Sequence, residues 1–152
     1  MKQLNLPEYS FKISGKEGEE LILDTIRRKW VRLTPEEWVR QNFIRYLIDR
    51  GKYPPGLLGI EKLFRQNKLK RRTDILVHNR AGEPVMIVEC KSPDIVLDDN
   101  LEVFDQIVRY NLEYGVPFIV LTNGLNHYAF RAEPGKNYKY LNYIPLYEDL
   151  LI

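Results

Sequence analysis

Residues 85–94 read VMIVECKSPD, and the way this stretch is understood decides the reading of everything around it. Val85, Met86, Ile87 and Val88 are four apolar residues in a row, the pattern of a strand buried on both faces. Glu89 and Lys91 follow, separated by Cys90. Side chains alternate across a strand, so Glu89 and Lys91 share one face and Cys90 points to the other. Cys90 is therefore expected to be a small buried hydrophobe. A carboxylate and an ammonium at the mouth of an apolar sheet cost desolvation energy. As a plain salt bridge on a rim they would return only ~0–1 kcal/mol.

Working upstream, TDILVH (73–78) reads as a strand and NRAGEP (79–84) as a loop with Gly and Pro signals. The loop is short enough for the two strands to be antiparallel neighbours, which brings Asp74 to the sheet edge where Glu89 and Lys91 end. Asp74 and Glu89, with the Cys90 carbonyl between them, then form a hard oxygen site. Mg²⁺ suits such a site, since it takes one or two protein carboxylates and completes its shell with water and phosphate; Mn²⁺ is expected to substitute. Lys91 would help activate the bound water or neutralise charge on the phosphate.

The helix signals are local and clear. In LTPEEWVRQNFIRYLIDRG (33–51), Thr34 is a suitable N-cap, Pro35 suits the first turn, and Glu36 and Glu37 complement the helix N-terminus. Val39, Phe43, Tyr46 and Leu47 make an apolar stripe widened by Ile44 and Ile48, and Gly51 with Pro54-Pro55 ends the helix. Before it, SFKIS (10–14) and ELILDTI (20–26) flank the turn-like GKEGE, a predicted hairpin to which RRKWVRL (27–33) adds a third strand. After it, GIEKLFR (59–65) and TDILVH are two strands around a polar turn. DNLEVFDQIVRYNLEYG (99–115) is a second helix with Val103, Ile107, Leu112 and Tyr114 toward the core. VPFIVLTNG (116–124) is a strand covered on both faces, and LNHYAFRAE (125–133) is expected to be the last strand.

Together these predict an α/β fold: a mixed central sheet flanked by helices, with an N-terminal β-hairpin extension. At 152 residues the chain is read as one domain, with 1–33 as the extension, 34–132 as the core and 133–152 as a C-terminal tail. The composition, 44% hydrophobic and 29% charged, is that of a soluble globule. No apolar run approaches the ~18–20 residues of a membrane span and no leader opens the chain, so the expected compartment is the cytoplasm. A lone Cys90 can form no internal disulfide. The net charge of +2 does not by itself indicate nucleic acid. The clusters KLKRR (68–72) and IRRKW (26–30) are either solvated faces or phosphate contacts. His78 and His127 have no partner at ligand spacing and are read as satisfied or exposed, and Trp30 and Trp38 as packing residues.

The pattern TD followed by VECK resembles the PD-(D/E)xK nuclease superfamily, with Thr73 standing where that name has proline. More closely, the chain resembles the N-terminal nuclease domain of the restriction subunit of type I restriction enzymes. LTPEEWVRQ, KRRTDILV, QIVRYN and LTNG carry that likeness over about residues 30–130. The resemblance implies Mg²⁺-dependent hydrolysis of DNA phosphodiesters. Carried over by position, Asp74 and Glu89 become metal ligands and Lys91 the catalytic lysine. A glutamate of the first helix, Glu36 or Glu37 with Glu37 favoured, becomes the upstream acid. Gln106 and Tyr110 supply the Gln-x-x-x-Tyr pair of that branch, near the substrate. Arg40, Lys68, Lys70, Arg71 and Arg72 are candidate substrate contacts. The restriction subunit also couples its nuclease to an ATP-driven motor. No G-x-x-x-x-G-K-[ST] loop occurs in these residues, which leaves a motor or specificity protein as a candidate partner. Two rival functions share this fold: a non-catalytic nucleic-acid or protein adaptor, and hydrolysis of RNA or nucleotides.

Overall fold

The structure, a computed structural model, describes residues 1–66, 69–97, 105, 109, 115–135 and 137–151; of 64–66, 69–71 and 137 it describes the backbone. The chain opens with a three-stranded antiparallel sheet, β1 (Ile13–Ser14), β2 (Leu21–Asp24) and β3 (Lys29–Arg32). Helix α1 (Pro35–Asp49) follows, its start fixed by Thr34, whose hydroxyl accepts from the Glu37 N–H at 3.0 Å. Its end owes less to a left-handed glycine than expected, because Arg50 caps it in the right-handed region. Gly51 is needed for space: a Cβ there would come within 2.6 Å of the Tyr53 ring.

Eight strands complete the fold: β4 (Leu58–Ile60), β5 (Leu63–Gln66), β6 (Leu69–Arg72), β7 (Ile75–His78), β8 (Pro84–Cys90), β9 (Phe118–Thr122), β10 (His127–Glu133) and β11 (Asn137–Leu141). Six of them form one mixed sheet in the order β11-β10-β9-β8-β7-β4, in which only β8 and β9 run parallel. This is the α/β architecture expected. Its second helix, 99–115, lies outside the described residues apart from helical Asp105 and Arg109.

Three details differ from the sequence reading. GIEKLFR does not form one strand: it breaks at Glu61, which adopts φ +53°, into β4 in the main sheet and β5 in a separate ribbon with β6. The pairing continues across the break, with Glu61 N–H donating to the Asp74 carbonyl at 3.1 Å and Thr73 N–H to that of Lys62 at 3.1 Å. Residues 58–66 and 69–77 are thus one long hairpin, and Asp74 lies at its joint. Nor is β10 the last strand, since β11 pairs with it and a 3₁₀ helix (Tyr147–Leu151) packs back on the core. The Tyr147 ring meets Tyr53 edge-on at 5.5 Å, and the Tyr53 hydroxyl donates to the Pro145 carbonyl at 2.8 Å. Finally, Trp30 is 44% exposed on β3, whereas Trp38 packs as expected, against Phe11.

The main core lies between α1 and one face of the sheet. Val39, Phe43, Ile44 and Leu47 meet Ile75, Val77, Met86, Val88, Cys90, Phe118 and Val120. The alternate residues Leu76, Ile87, Ile119 and Leu121 occupy the other face, with Val116 and Leu97 among them. The two-sided burial expected of VMIV and FIVL is therefore present. Among the described residues no helix is long and apolar enough to cross a membrane.

Candidate functional site

The β7–β8 register pairs Ile75 with Val88. Asp74 and Glu89 are the next residues outward from that pair. The Cys90 N–H then donates to Asp74 Oδ2 at 2.8 Å, fixing the carboxylate against the end of β8. Cys90 faces the α1 core, 1% exposed, and burial pushes its thiol well above the ordinary range. It is the inert hydrophobe the alternation implied. Glu89, 6% exposed, alternates onto the opposite face. Half-buried Lys91 begins just past the strand, where its N–H donates to the Thr122 carbonyl at 2.8 Å. Asp74, Glu89, Cys90 and Lys91 thus meet at one end of the sheet.

The first turn of α1 closes over that end, and its two glutamates have different neighbours. Glu37, the one favoured from the sequence, is 7% exposed, and both its oxygens accept from Arg27 Nη2, at 3.0 and 3.1 Å. Gln41 adds a bond at 3.1 Å. Glu36 is more open and lies within electrostatic reach of Asp74 and Lys91. Burial and then the Asp74 charge push its carboxyl above the ordinary carboxylate range, only partly offset by Arg40 and Lys91.

Arg40, read as a substrate contact, is 5% exposed and enclosed by acids. Its guanidinium lies 3.3 Å from Asp74 Oδ1, 3.0 Å from Glu61, 3.6 Å from Glu37 and 3.9 Å from Glu36. Burial disfavours its charge, but Asp74, Glu37 and the bond to Glu61 outweigh that and raise its pKa above the ordinary value. The bond from Arg40 holds the Glu61 carboxyl below its usual range, against a smaller opposing effect of burial.

Arg27, Asp24, Glu61 and Gln41 were not singled out from the sequence, although the structure brings them here. Arg27 belongs to the IRRKW cluster, read as a solvated face or phosphate contact, yet it turns inward to this network. The i, i+4 spacing of Glu37 and Gln41 was the one local signal. Of the predicted basic contacts, Arg72 is exposed on β6; Lys70 and Arg71 belong to the same strand, and Lys68 lies outside the described residues. Gln106 and Tyr110 also lie outside them. His127 accepts or donates at both ring nitrogens, to Thr122 and Asn5, and burial lowers its pKa; His78 meets the Leu57 carbonyl. Both are satisfied, as expected.

Among the described residues no three His, Cys, Asp or Glu side chains form a ready-made metal cage. A magnesium site needs fewer, since water and phosphate complete the shell. Both Asp74 oxygens have protein partners, but each carboxylate oxygen can accept more than one bond, so Asp74 keeps acceptor capacity for such an ion.

The family profile described as "Type I restriction enzyme R protein N terminus (HSDR_N)" matches residues 35–145. The chain belongs to this family. The matched stretch runs from the start of α1 past β11 and includes Glu36, Glu37, Arg40, Glu61, Asp74, Glu89, Cys90 and Lys91, but not Asp24 or Arg27. Comparison with curated proteins gives no match. Among the solved structures similar to this chain are these two. One is "The fragment structure of a putative HsdR subunit of a type I restriction enzyme from Vibrio vulnificus", at 18% identity and TM-score 0.49. The other is a "putative nuclease" from Anabaena variabilis, at 14% identity and TM-score 0.48. They cover 74% and 76% of this chain. The chain spans 24% of the Vibrio protein's length and 73% of the Anabaena protein's.

Proposed function

We propose that this R-protein N-terminal domain is a Mg²⁺-dependent nuclease that hydrolyses DNA phosphodiester bonds. The observation that carries this reading is the meeting of Asp74, Cys90 and Lys91 at one sheet end, with Glu89 next to Cys90 and Glu36 above them. Asp74, Glu89 and the Cys90 carbonyl would hold the ion. When bound, it supplies an acidified water and charge neutralisation at the phosphate. Lys91 stabilises the negative charge that develops on the phosphate oxygens. Glu36, rather than Glu37, is the helical carboxylate that faces this edge, since Glu37 is committed to Arg27 and Gln41. Gln106 and Tyr110 keep the roles that the family resemblance implies, orienting Lys91 and lining the strand's path. Lys68, Lys70, Arg71 and Arg72 would hold the DNA backbone next to Asp74. A motor or specificity protein is the candidate partner.

The test is a cleavage panel of linear, circular and single-stranded DNA and RNA, with Mg²⁺, Mn²⁺, Ca²⁺ or chelator. DNA cleavage with Mg²⁺ and Mn²⁺, abolished by chelation, is expected. Lys91→Ala should lose ~10²–10³ in rate while fold and Mn²⁺ affinity persist. Unaltered turnover in that variant would make the lysine structural and overturn the reading. Binding without hydrolysis under every condition would return the adaptor, and hydrolysis confined to RNA would change the substrate class.

A further inference from the structure

The ion network around Arg40 continues beyond the sheet edge into the N-terminal sheet. In the turn between β2 and β3, Asp24 Oδ1 accepts from the N–H groups of Ile26 and Arg27 at 2.8 and 2.9 Å, an Asx turn that presents Arg27. Asp24 Oδ2 pairs with Arg27 Nε and also accepts from Gln41 at 3.0 Å. Asp24 is fully buried; burial alone would raise its carboxyl, but the bonds from Arg27 and Gln41 hold it below the ordinary range. Arg27 then reaches both Glu37 oxygens and, at 3.2 Å, Glu61 Oε2. The other Glu61 oxygen pairs with Arg40, and Arg40 pairs with Asp74.

We propose that Arg27 is a positioning residue for Asp74, acting through Glu37, Glu61 and Arg40, so that the β2–β3 turn is a working part of the site. The inference rests on Asp74 being a functional carboxylate, as proposed above. Two guanidiniums, Arg27 and Arg40, serve five carboxylates, those of Asp24, Glu36, Glu37, Glu61 and Asp74. With cations in the minority, each carboxylate's orientation depends on how the guanidinium forks are shared. Arg27 occupies both oxygens of Glu37 and one of Glu61. Without it, these two acids turn their free oxygens to Arg40 and compete with Asp74 for its fork. Asp74 Oδ1 then loses its partner, and Oδ2 is no longer held against the Cys90 amide. Stability alone would be served as well by apolar residues of similar volume, because buried ion networks rarely repay their desolvation.

Amide hydrogen exchange on the metal-free protein tests this without cleavage or metal. The Cys90 N–H donates to Asp74, and the neighbouring Lys91 N–H donates to the Thr122 carbonyl, which makes Lys91 an internal control. In Arg27→Met the Cys90 amide should exchange roughly tenfold faster while Lys91 keeps its protection, the size of a lost charge-assisted hydrogen bond. Mn²⁺ affinity by calorimetry should weaken in parallel. Arg27→Lys, a point charge unable to bridge three acids at once, should be intermediate in both. Equal acceleration of both amides, or no change at Cys90, would overturn the proposal. If Arg27→Met does not fold, Glu61→Gln breaks the same link from a more exposed position and is judged by the same pair of amides. A wild-type protein that neither binds Mn²⁺ nor cuts DNA would end the nuclease reading, whereas a selective change at Cys90 in the variant would still establish the relay.

Discussion

Helix α1 buries two stretches, and they are built from opposite materials. Its second half presents Phe43, Ile44 and Leu47, which are 0–2% exposed and belong to the main hydrophobic core. Its first half presents Glu37, Arg40 and Gln41, which are 3–7% exposed and wrapped in charge. Burying the apolar half yields ~1.5–3 kcal/mol per large side chain. Burying the charged half costs desolvation that its ion pairs at best offset. The first half therefore adds little to stability, and it is the half that touches Asp74.

The contrast can be broken from either side. Phe43→Ala should destabilise the protein by ~3–5 kcal/mol, read by denaturant unfolding, while the folded fraction keeps its specific activity. A parallel loss of activity per folded molecule would mean that the two halves are coupled. The glutamates sharpen the point with smaller effects of opposite sign. Glu37→Gln leaves Arg27 and Arg40 short of a buried anion and should cost about 1–3 kcal/mol. Glu36 has its pKa raised by folding, so its ionised form opposes folding at neutral pH; that cost is full above the folded pKa and absent below the unfolded one. Glu36→Gln should therefore leave the melting temperature unchanged or slightly higher at pH 7 and weaken Mn²⁺ binding. A melting temperature lowered as far as in Glu37→Gln would reverse the assignment of the two residues. The smallest effect belongs outside the helix. Neutralising Arg72 on β6 should weaken DNA binding uniformly across sequences and reduce the salt slope by about one unit. Sequence-selective loss would contradict backbone contact.

Legibility in the sequence followed the range of the interactions. The span of α1 was readable because its signals are local: the Thr34 cap, Pro35 and the 3.6-residue stripe. The strands VMIVECK and FIVLT were readable because burial on both faces leaves an unbroken apolar run. β11 was not, since NYKYL at the sheet edge keeps polar residues outward and lacks such a run. At the site, adjacency of Asp74 and Glu89 followed from a short loop between neighbouring strands. The different surroundings of Glu36 and Glu37 did not, because they depend on the rotation of α1 relative to Arg27, which reaches Glu37 from another sheet. Arg27 itself looked like one more surface cation in a basic turn. Its burial is decided by acids 10 and 34 residues further along the chain.

The single parallel pairing has a consequence for how the molecule assembles. On one side, β4, β7 and β8 are joined in an antiparallel run by close connections, as are β9, β10 and β11 on the other. Within the sheet the two halves pair along β8–β9, across a connection that spans residues 91–117. Closing that distance costs chain entropy before any pairing rewards it, so the seam is expected to close after each half has formed its own hairpins. Asp74 and Glu89 are brought together within the first half. Lys91, whose amide is anchored on Thr122, takes its place only when the seam closes. The charged edge is thus completed last, and a nascent chain carries the carboxylates before it carries the fixed lysine.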